Sequence, residues 1–254
     1  MSSSRPPWVA GNWKMHGSLA DNAALVAAIR KGLPDRISAE VVLCVPFPYL
    51  DQVSRLLSCS MITLAAQDVS KEAKGAFTGD VSAMMLADFG CRYVLVGHSE
   101  RRQLHGETDA KVAEKFGAAL RVGIRPVLCL GETLAEREAG QTEEVVIRQL
   151  EAILTLYGAA AFQEAVLAYE PIWAIGTGRV AAPHEAEAVH SLLRARVAVA
   201  DASVAAALRI VYGGSIKADN APLLFAQANI DGGLIGGASL QAEDFLTICH
   251  AANF

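Results

Sequence analysis

The chain has 254 residues, 52 % of them hydrophobic and 19 % charged, with a formal net charge of −5. That much apolar surface offsets chain entropy and excludes a mainly disordered state. The negative balance argues against a nucleic-acid or anionic-membrane binder, because both need a positive field to recruit phosphate. No apolar run reaches the roughly eighteen residues of a membrane span, and the opening MSSSRPPWVAGNWK lacks a signal-peptide core, so a soluble cytoplasmic protein is expected. Cys44, Cys59, Cys91, Cys129 and Cys249 are odd in number, scattered and never spaced as C-x-x-C, which predicts buried free thiols rather than disulfides or a zinc knuckle.

In chain order, a first apolar run at 8–12 predicts a strand and 19–32 a helix, then a strand at 41–45 with a short helix near 49–57. A strand at 61–67 is followed by a short helix near 81–88. Strands at 93–97 and 125–131 flank a helix at 109–123. Helices at 135–158, 184–200, 217–228 and 241–251 then alternate with strands at 165–171, 208–214 and 229–237. Most strand candidates are continuously apolar, as expected where both faces of a parallel sheet are covered. Gly32, Gly123 and Gly158 fit helix ends, and Asp109 and Pro183 fit helix starts. About eight strand–helix beats over some 250 residues predict an α/β fold, a closed (β/α)8 barrel, in one domain over 1–254. An open doubly wound sheet is the alternative, since periodicity alone does not show closure.

In such a barrel, chemistry sits where strands end. The polar residues follow that rule: Asn12 and Lys14 after the first strand, His98, Ser99 and Glu100 after the fourth, and Glu170 after the sixth. Glycines cluster at Gly213-Gly214-Ser215, Gly232-Gly233 and Gly236-Gly237. Singly, these read as a loop charge, a structural imidazole and turns. Together they bring a cation, an imidazole and a carboxylate to one mouth beside backbone N–H groups suited to an anion. Gly232-Gly233 reads as a turn. Gly236-Gly237 reads as an anion seat, because a helix is expected to begin next.

The motifs GNWKM (11–15), GAFTGD (75–80), GHSERR (97–102), CLGE (129–132), YEPIWAIGTG (169–178), YGGS (212–215) and GLIGGASL (233–240) run in order over nearly the whole chain. The sequence resembles the triosephosphate isomerase family. The resemblance implies a (β/α)8 barrel and interconversion of dihydroxyacetone phosphate and D-glyceraldehyde 3-phosphate through an enediol(ate), with no metal or organic cofactor. It implies Glu170 as catalytic base, His98 as a neutral electrophile, Lys14 and Asn12 as the polar wall, and Glu100 as a buried carboxylate near Lys14 or His98. For the phosphate it implies Gly176, Ser215, Gly236 and Gly237, with Asn12 and Lys14 also binding substrate. It also implies a homodimer through the projecting loop around Phe77, Thr78 and Gly79.

Removing a proton from carbon requires a base, and a carboxylate gains basicity when water is excluded from it. Segment 171–181 is expected to act as a lid, with Trp173 near one hinge and Arg179 near the other. Arg179 stands where many members have Lys, and Asp80 where Glu is frequent. Cys129 is expected in the core. His16, His105, His184, His190 and His250 form no metal-spaced pair. Two other readings fit the residues: a Schiff-base aldolase using Lys14, and a non-catalytic barrel scaffold.

Overall fold

The computed structural model describes residues 5–34, 36–175 and 180–252. Eight parallel strands close into a barrel in sequence order: β1 (Trp8–Asn12), β2 (Glu40–Val45), β3 (Thr63–Ala66), β4 (Tyr93–Val96), β5 (Arg125–Leu130), β6 (Val166–Tyr169), β7 (Arg209–Tyr212) and β8 (Gly232–Ile235). Pairing of β1 with β8, Trp8 opposite Gly232, makes the closing seam. Closure excludes the open-sheet alternative.

Because side chains alternate faces, each strand feeds two cores. Trp8, Ala10, Val42, Cys44, Ala65, Tyr93, Leu95, Val127, Cys129, Val166, Ala168, Val211 and Leu234 form one buried cluster that fills the lumen. The alternate residues, such as Val9, Val41, Leu43, Val94, Leu128 and Leu167, pack with the surrounding helices in a second, larger cluster. Each fully buried aliphatic side chain contributes about 1.5–3 kcal/mol. Trp8 meets Tyr93 edge-on at 5.5 Å, so two aromatic rings plug the N-terminal end of the lumen. Around them the Tyr93 hydroxyl donates to Glu40 at 2.8 Å, and Arg209 donates to Glu40 at 2.6 Å and to the Tyr93 oxygen at 2.7 Å.

Four of the cysteines are buried, while Cys59 is exposed, on a turn at φ 58°, against the expectation of five buried thiols. The long helix expected at 135–158 is two, Leu134–Glu138 and Thr142–Tyr157, because Gly140 between them adopts φ 72°. The helix expected at 217–228 contracts to Ala221–Phe225, since Pro222 lacks an N–H and is tolerated only in a first turn. Asp201 caps an unforeseen helix, Ala202–Ala207, accepting from the N–H of Ser203 at 2.8 Å and of Val204 at 3.1 Å. Gly158 caps its helix at φ 70°, Gly32 is instead the last helical residue of its own, and the 109 helix ends at Leu120 before Gly123.

The strand expected at 229–237 shortens to its last apolar part. Asn229 and Asp231 spend their side chains on cross-links instead, Asn229 to Glu187 and Arg194, Asp231 to Arg5 and Arg194. Gly232 and Gly233 do not turn the chain; they lie in β8. At Gly232, φ is 133° and any Cβ would collide with the Trp8 carbonyl, so glycine is what lets the seam close.

Candidate active site

Alternation explains which side chains reach the C-terminal mouth. Continuing each inward series by one step past its last lumen residue gives Asn12 after Ala10, Gln67 after Ala65, Glu170 after Ala168, Gly213 after Val211 and Gly236 after Leu234. A cavity of about 740 Å³ opens there, lined by Asn12, Lys14, His98, Glu170, Ser215, Gly236 and Gly237 among others. Thus seven of the residues expected from sequence converge. Gly176 and Arg179 lie outside the described residues.

Glu170 is 2 % exposed, and both of its oxygens are engaged. Oε2 accepts the Ser99 backbone N–H at 2.9 Å, and Oε1 lies 2.9 Å from His98 Nε2. A Cβ at Gly213 would stand 2.9 Å from Glu170 Cγ, so the absence of a side chain there leaves room for the carboxylate. Burial pushes the carboxyl up, but the charge and hydrogen bond of His98, the Ser99 N–H and Lys14 outweigh it and hold it below the usual range.

His98 is the N-cap of the helix Ser99–His105, and the Glu100 N–H donates to its Nδ1 at 3.3 Å. That bond assigns the proton of the neutral ring to Nε2, the nitrogen facing Glu170. Burial pushes the imidazole down, yet the adjacent Glu170 carboxylate overrides it and the net shift in this pairing is upward. Asn12 Nδ2 stands 3.3 Å from the same Nε2.

Lys14 has φ 52°, a left-handed conformation that costs a non-glycine residue of order 1–3 kcal/mol. Its N–H donates to Asn12 Oδ1 at 3.0 Å and its carbonyl accepts from Gln67 Nε2 at 2.9 Å. Its Nζ is ion-paired with Glu100. Glu100 corrects an expectation: it sits beside both Lys14 and His98, but its side chain is 44 % exposed rather than buried, because it pairs with a Lys14 ammonium that is itself part-exposed at the mouth. A Cβ at Gly236 would stand 3.3 Å from Lys14 Cε, so the glycine seat and the lysine stem adjoin. The expected helix after Gly236 is a short 3-10 turn, Gly237–Leu240.

Glu132, fully buried, accepts from the Tyr169 hydroxyl at 3.1 Å, from Trp173 Nε1 at 2.9 Å and from Arg137 at 3.3 Å. Arg137 also stacks 4.4 Å from the Trp173 ring and donates to Glu185, which accepts from the Ala182 N–H. Sequence reading passed over Arg137, Glu185 and Gln67. The inward series pointed to Gln67, whereas nothing local marks Arg137, which meets Trp173 only through the fold. Cys129 is in the lumen core, as expected. Among the described residues, no three His, Cys, Asp or Glu side chains are grouped to hold a metal ion.

A family model described as triosephosphate isomerase matches residues 7–252. The chain is 59 % identical over 248 residues to a protein named triosephosphate isomerase from Thiobacillus denitrificans, covering 98 % of this chain and 99 % of the relative. It is 59 % identical over 249 residues to one of the same name from Dechloromonas aromatica, 98 % and 100 % covered, and 53 % identical over 248 residues to one from Nitrosomonas eutropha, 98 % of each covered. With a closed barrel and this mouth, a match over nearly its whole length means that the chain belongs to the triosephosphate isomerase family.

Proposed function

We propose that this chain interconverts dihydroxyacetone phosphate and D-glyceraldehyde 3-phosphate, with Glu170 moving the proton between the two carbons and His98 moving protons between their oxygens. The observation that carries the reading is the 2.9 Å contact of a buried Glu170 with His98 Nε2 at a mouth also lined by Lys14 and Asn12.

At rest the carboxylate is solvated by two protein donors, which makes it a weak base. Substrate carbon can be reached only by giving up the Ser99 and His98 bonds, and their loss inside a water-poor site strengthens the base when it is needed. The same departure frees the His98 Nε2–H for the substrate carbonyl. With the carboxylate charge gone, burial favours the neutral ring, which can donate a proton to one oxygen and recover one from the other. Lys14 and the Asn12 amide add positive potential where the enediolate oxygen becomes negative. Ser215, Gly236 and Gly237 hold the phosphate across the cavity, with Gly176 as a further N–H donor. Binding that remote group gives closure of the 171–181 segment something to grip.

The same reading includes a cytoplasmic homodimer built through Phe77, Thr78 and Gly79; Phe77 is 45 % exposed on its loop, an apolar surface that a second copy would cover. A Schiff base through Lys14 needs a free amine, whereas Nζ is held by Glu100. The test is a coupled assay with glyceraldehyde 3-phosphate. Wild type turns over, and Glu170→Gln lowers kcat by roughly 10²–10⁴ with KM within a few-fold. A folded but inactive wild type would sink the isomerase reading, and full activity in E170Q would remove Glu170 from the role of base.

A further inference from the structure

We infer that Gln149 is a positioning residue for the reaction: its side-chain amide stands in for a missing strand residue, holds both backbone groups of Gly131, and so fixes the bed on which the main chain of Glu170 lies. The inference rests on the role of Glu170 proposed above.

Successive residues of a parallel strand send their backbone groups to opposite neighbours. Pairing of β5 with β6 runs to Leu130 opposite Tyr169, and the Leu130 carbonyl then accepts the Glu170 N–H at 2.7 Å. The backbone groups of the next residue, Gly131, are therefore directed the other way, toward β4. There β4 pairs with β5 only as far as Val96 opposite Leu128, and its chain turns off at Gly97 with φ 71°. No strand remains to meet Gly131. Gln149, buried in the helix Thr142–Tyr157, meets it instead: Oε1 accepts the Gly131 N–H at 2.8 Å and Nε2 donates to the Gly131 carbonyl at 3.2 Å. A primary amide offers one carbonyl oxygen and an N–H, the same pair that a strand residue would present. Helix thus completes what the sheet leaves open.

Gly131 is where this support reaches the base. A Cβ there would collide with the Glu170 carbonyl, so the two main chains are in direct contact. On either side of it, Leu130 takes the Glu170 N–H and the Glu132 carbonyl takes the Ile172 N–H at 3.1 Å. Residues 130–132 therefore form a bed along residues 170–172, and the middle of that bed is glycine, the residue with the most conformational freedom. The carboxylate has to leave Ser99 and His98 to reach carbon, so it swings from a main chain that must itself stay still. With an apolar side chain at 149, two buried backbone groups lose their partners, and Gly131 relieves that cost by rotating, which moves the Glu170 carbonyl packed against it. Misplacement of about 1 Å can cost up to a hundredfold in rate. The phosphate seat follows β7 and β8 across the cavity and shares none of these bonds.

The experiment is a double-mutant cycle read by kcat for glyceraldehyde 3-phosphate and by the competitive inhibition constant of inorganic phosphate. Gln149→Leu is expected to lower kcat at least tenfold while phosphate inhibition stays within twofold, with far-ultraviolet circular dichroism unchanged. In the Glu170→Gln background, adding Gln149→Leu is expected to change kcat by less than twofold, because there is no longer a base to place. Gln149→Glu keeps an acceptor for the Gly131 N–H and, once protonated, regains a donor for its carbonyl, so its kcat relative to wild type is expected to recover as pH is lowered. Equal losses from Gln149→Leu in both backgrounds would make its effect merely structural and overturn the inference. So would a phosphate constant weakened as much as kcat, a Gln149→Leu enzyme within twofold of wild type, or a Gln149→Glu enzyme as impaired as Gln149→Leu at every pH. If neither Gln149 variant folds, the side chain is a structural element and the inference fails. If Glu170→Gln itself keeps wild-type activity, it is the role proposed for Glu170 that fails, and the inference falls with it.

Discussion

Glu170 and His98 share one electrostatic fate. In the resting pair, Glu170 holds His98 toward its charged form and His98 holds Glu170 toward its own, although burial opposes both charges. The sign of a test follows directly. In Glu170→Gln the raising influences from Glu170 on His98 vanish and burial, the largest influence, remains, so the imidazole pKa is expected to fall below its ordinary 6.5. Proton and nitrogen magnetic resonance of the ring across pH would report this. A value staying above 6.5 would mean that Glu100, the other carboxylate beside the ring, governs His98 instead. The place of Glu170 at the mouth was legible without coordinates, because a carboxylate is costly to bury without partners and ends an apolar strand here. For Gln67 strand alternation marks an inward position, but the two carbonyls its amide meets were not legible until the fold brought them to it.

Helix ends near the mouth set where the functional loops begin. Thr133 follows buried Glu132 and caps the helix Leu134–Glu138 with a reciprocal box: its hydroxyl accepts the Glu136 N–H at 3.3 Å while Glu136 accepts the Thr133 N–H at 2.8 Å. Thr133→Ala is expected to cost about 1 kcal/mol, or a fall in Tm of about 2–4 °C for a domain of this size. An unchanged calorimetric Tm would show that the box contributes nothing net. Element existence was legible from apolar periodicity for all eight strands. Breaks were less so: 135–158 keeps a helical pattern through its interruption, and the φ of Gly140 divides it.

For the whole molecule, one buried histidine couples stability to pH. His190 is fully buried in the helix Pro183–Ala200, donates from Nδ1 to the Asn229 carbonyl at 3.1 Å and meets Tyr169 edge-on at 5.9 Å. Burial pushes its pKa down from 6.5 to about 4, with nearby Arg194 acting the same way. The folded state therefore keeps the ring neutral, while the unfolded chain takes up a proton below about 6.5. The stabilisation is complete above that value and is lost as pH falls toward about 4, roughly 3 kcal/mol over the window. Denaturant titrations across this range should show the slope in wild type and its loss in His190→Asn, which keeps a donor for Asn229. Parallel slopes would exclude His190 as the source. Assembly belongs to the same scale. If the proposed dimer forms through Phe77, the wild type is expected to sediment as a dimer and Phe77→Glu as a monomer, and an unchanged sedimentation coefficient would remove the Phe77 loop from the interface.

The order of residues alone determined the alternation of strands and helices, the number of strands and the chemical types standing at their ends. These are local properties: apolar periodicity and side-chain direction repeat within a few residues. Closure of the barrel, the pairing of Glu170 with His98 and the bonds of Gln67 to the Lys14 and Cys44 carbonyls were decided only in three dimensions. Each depends on groups tens of residues apart meeting within about 3 Å, and a hydrogen bond has no strength until both partners arrive.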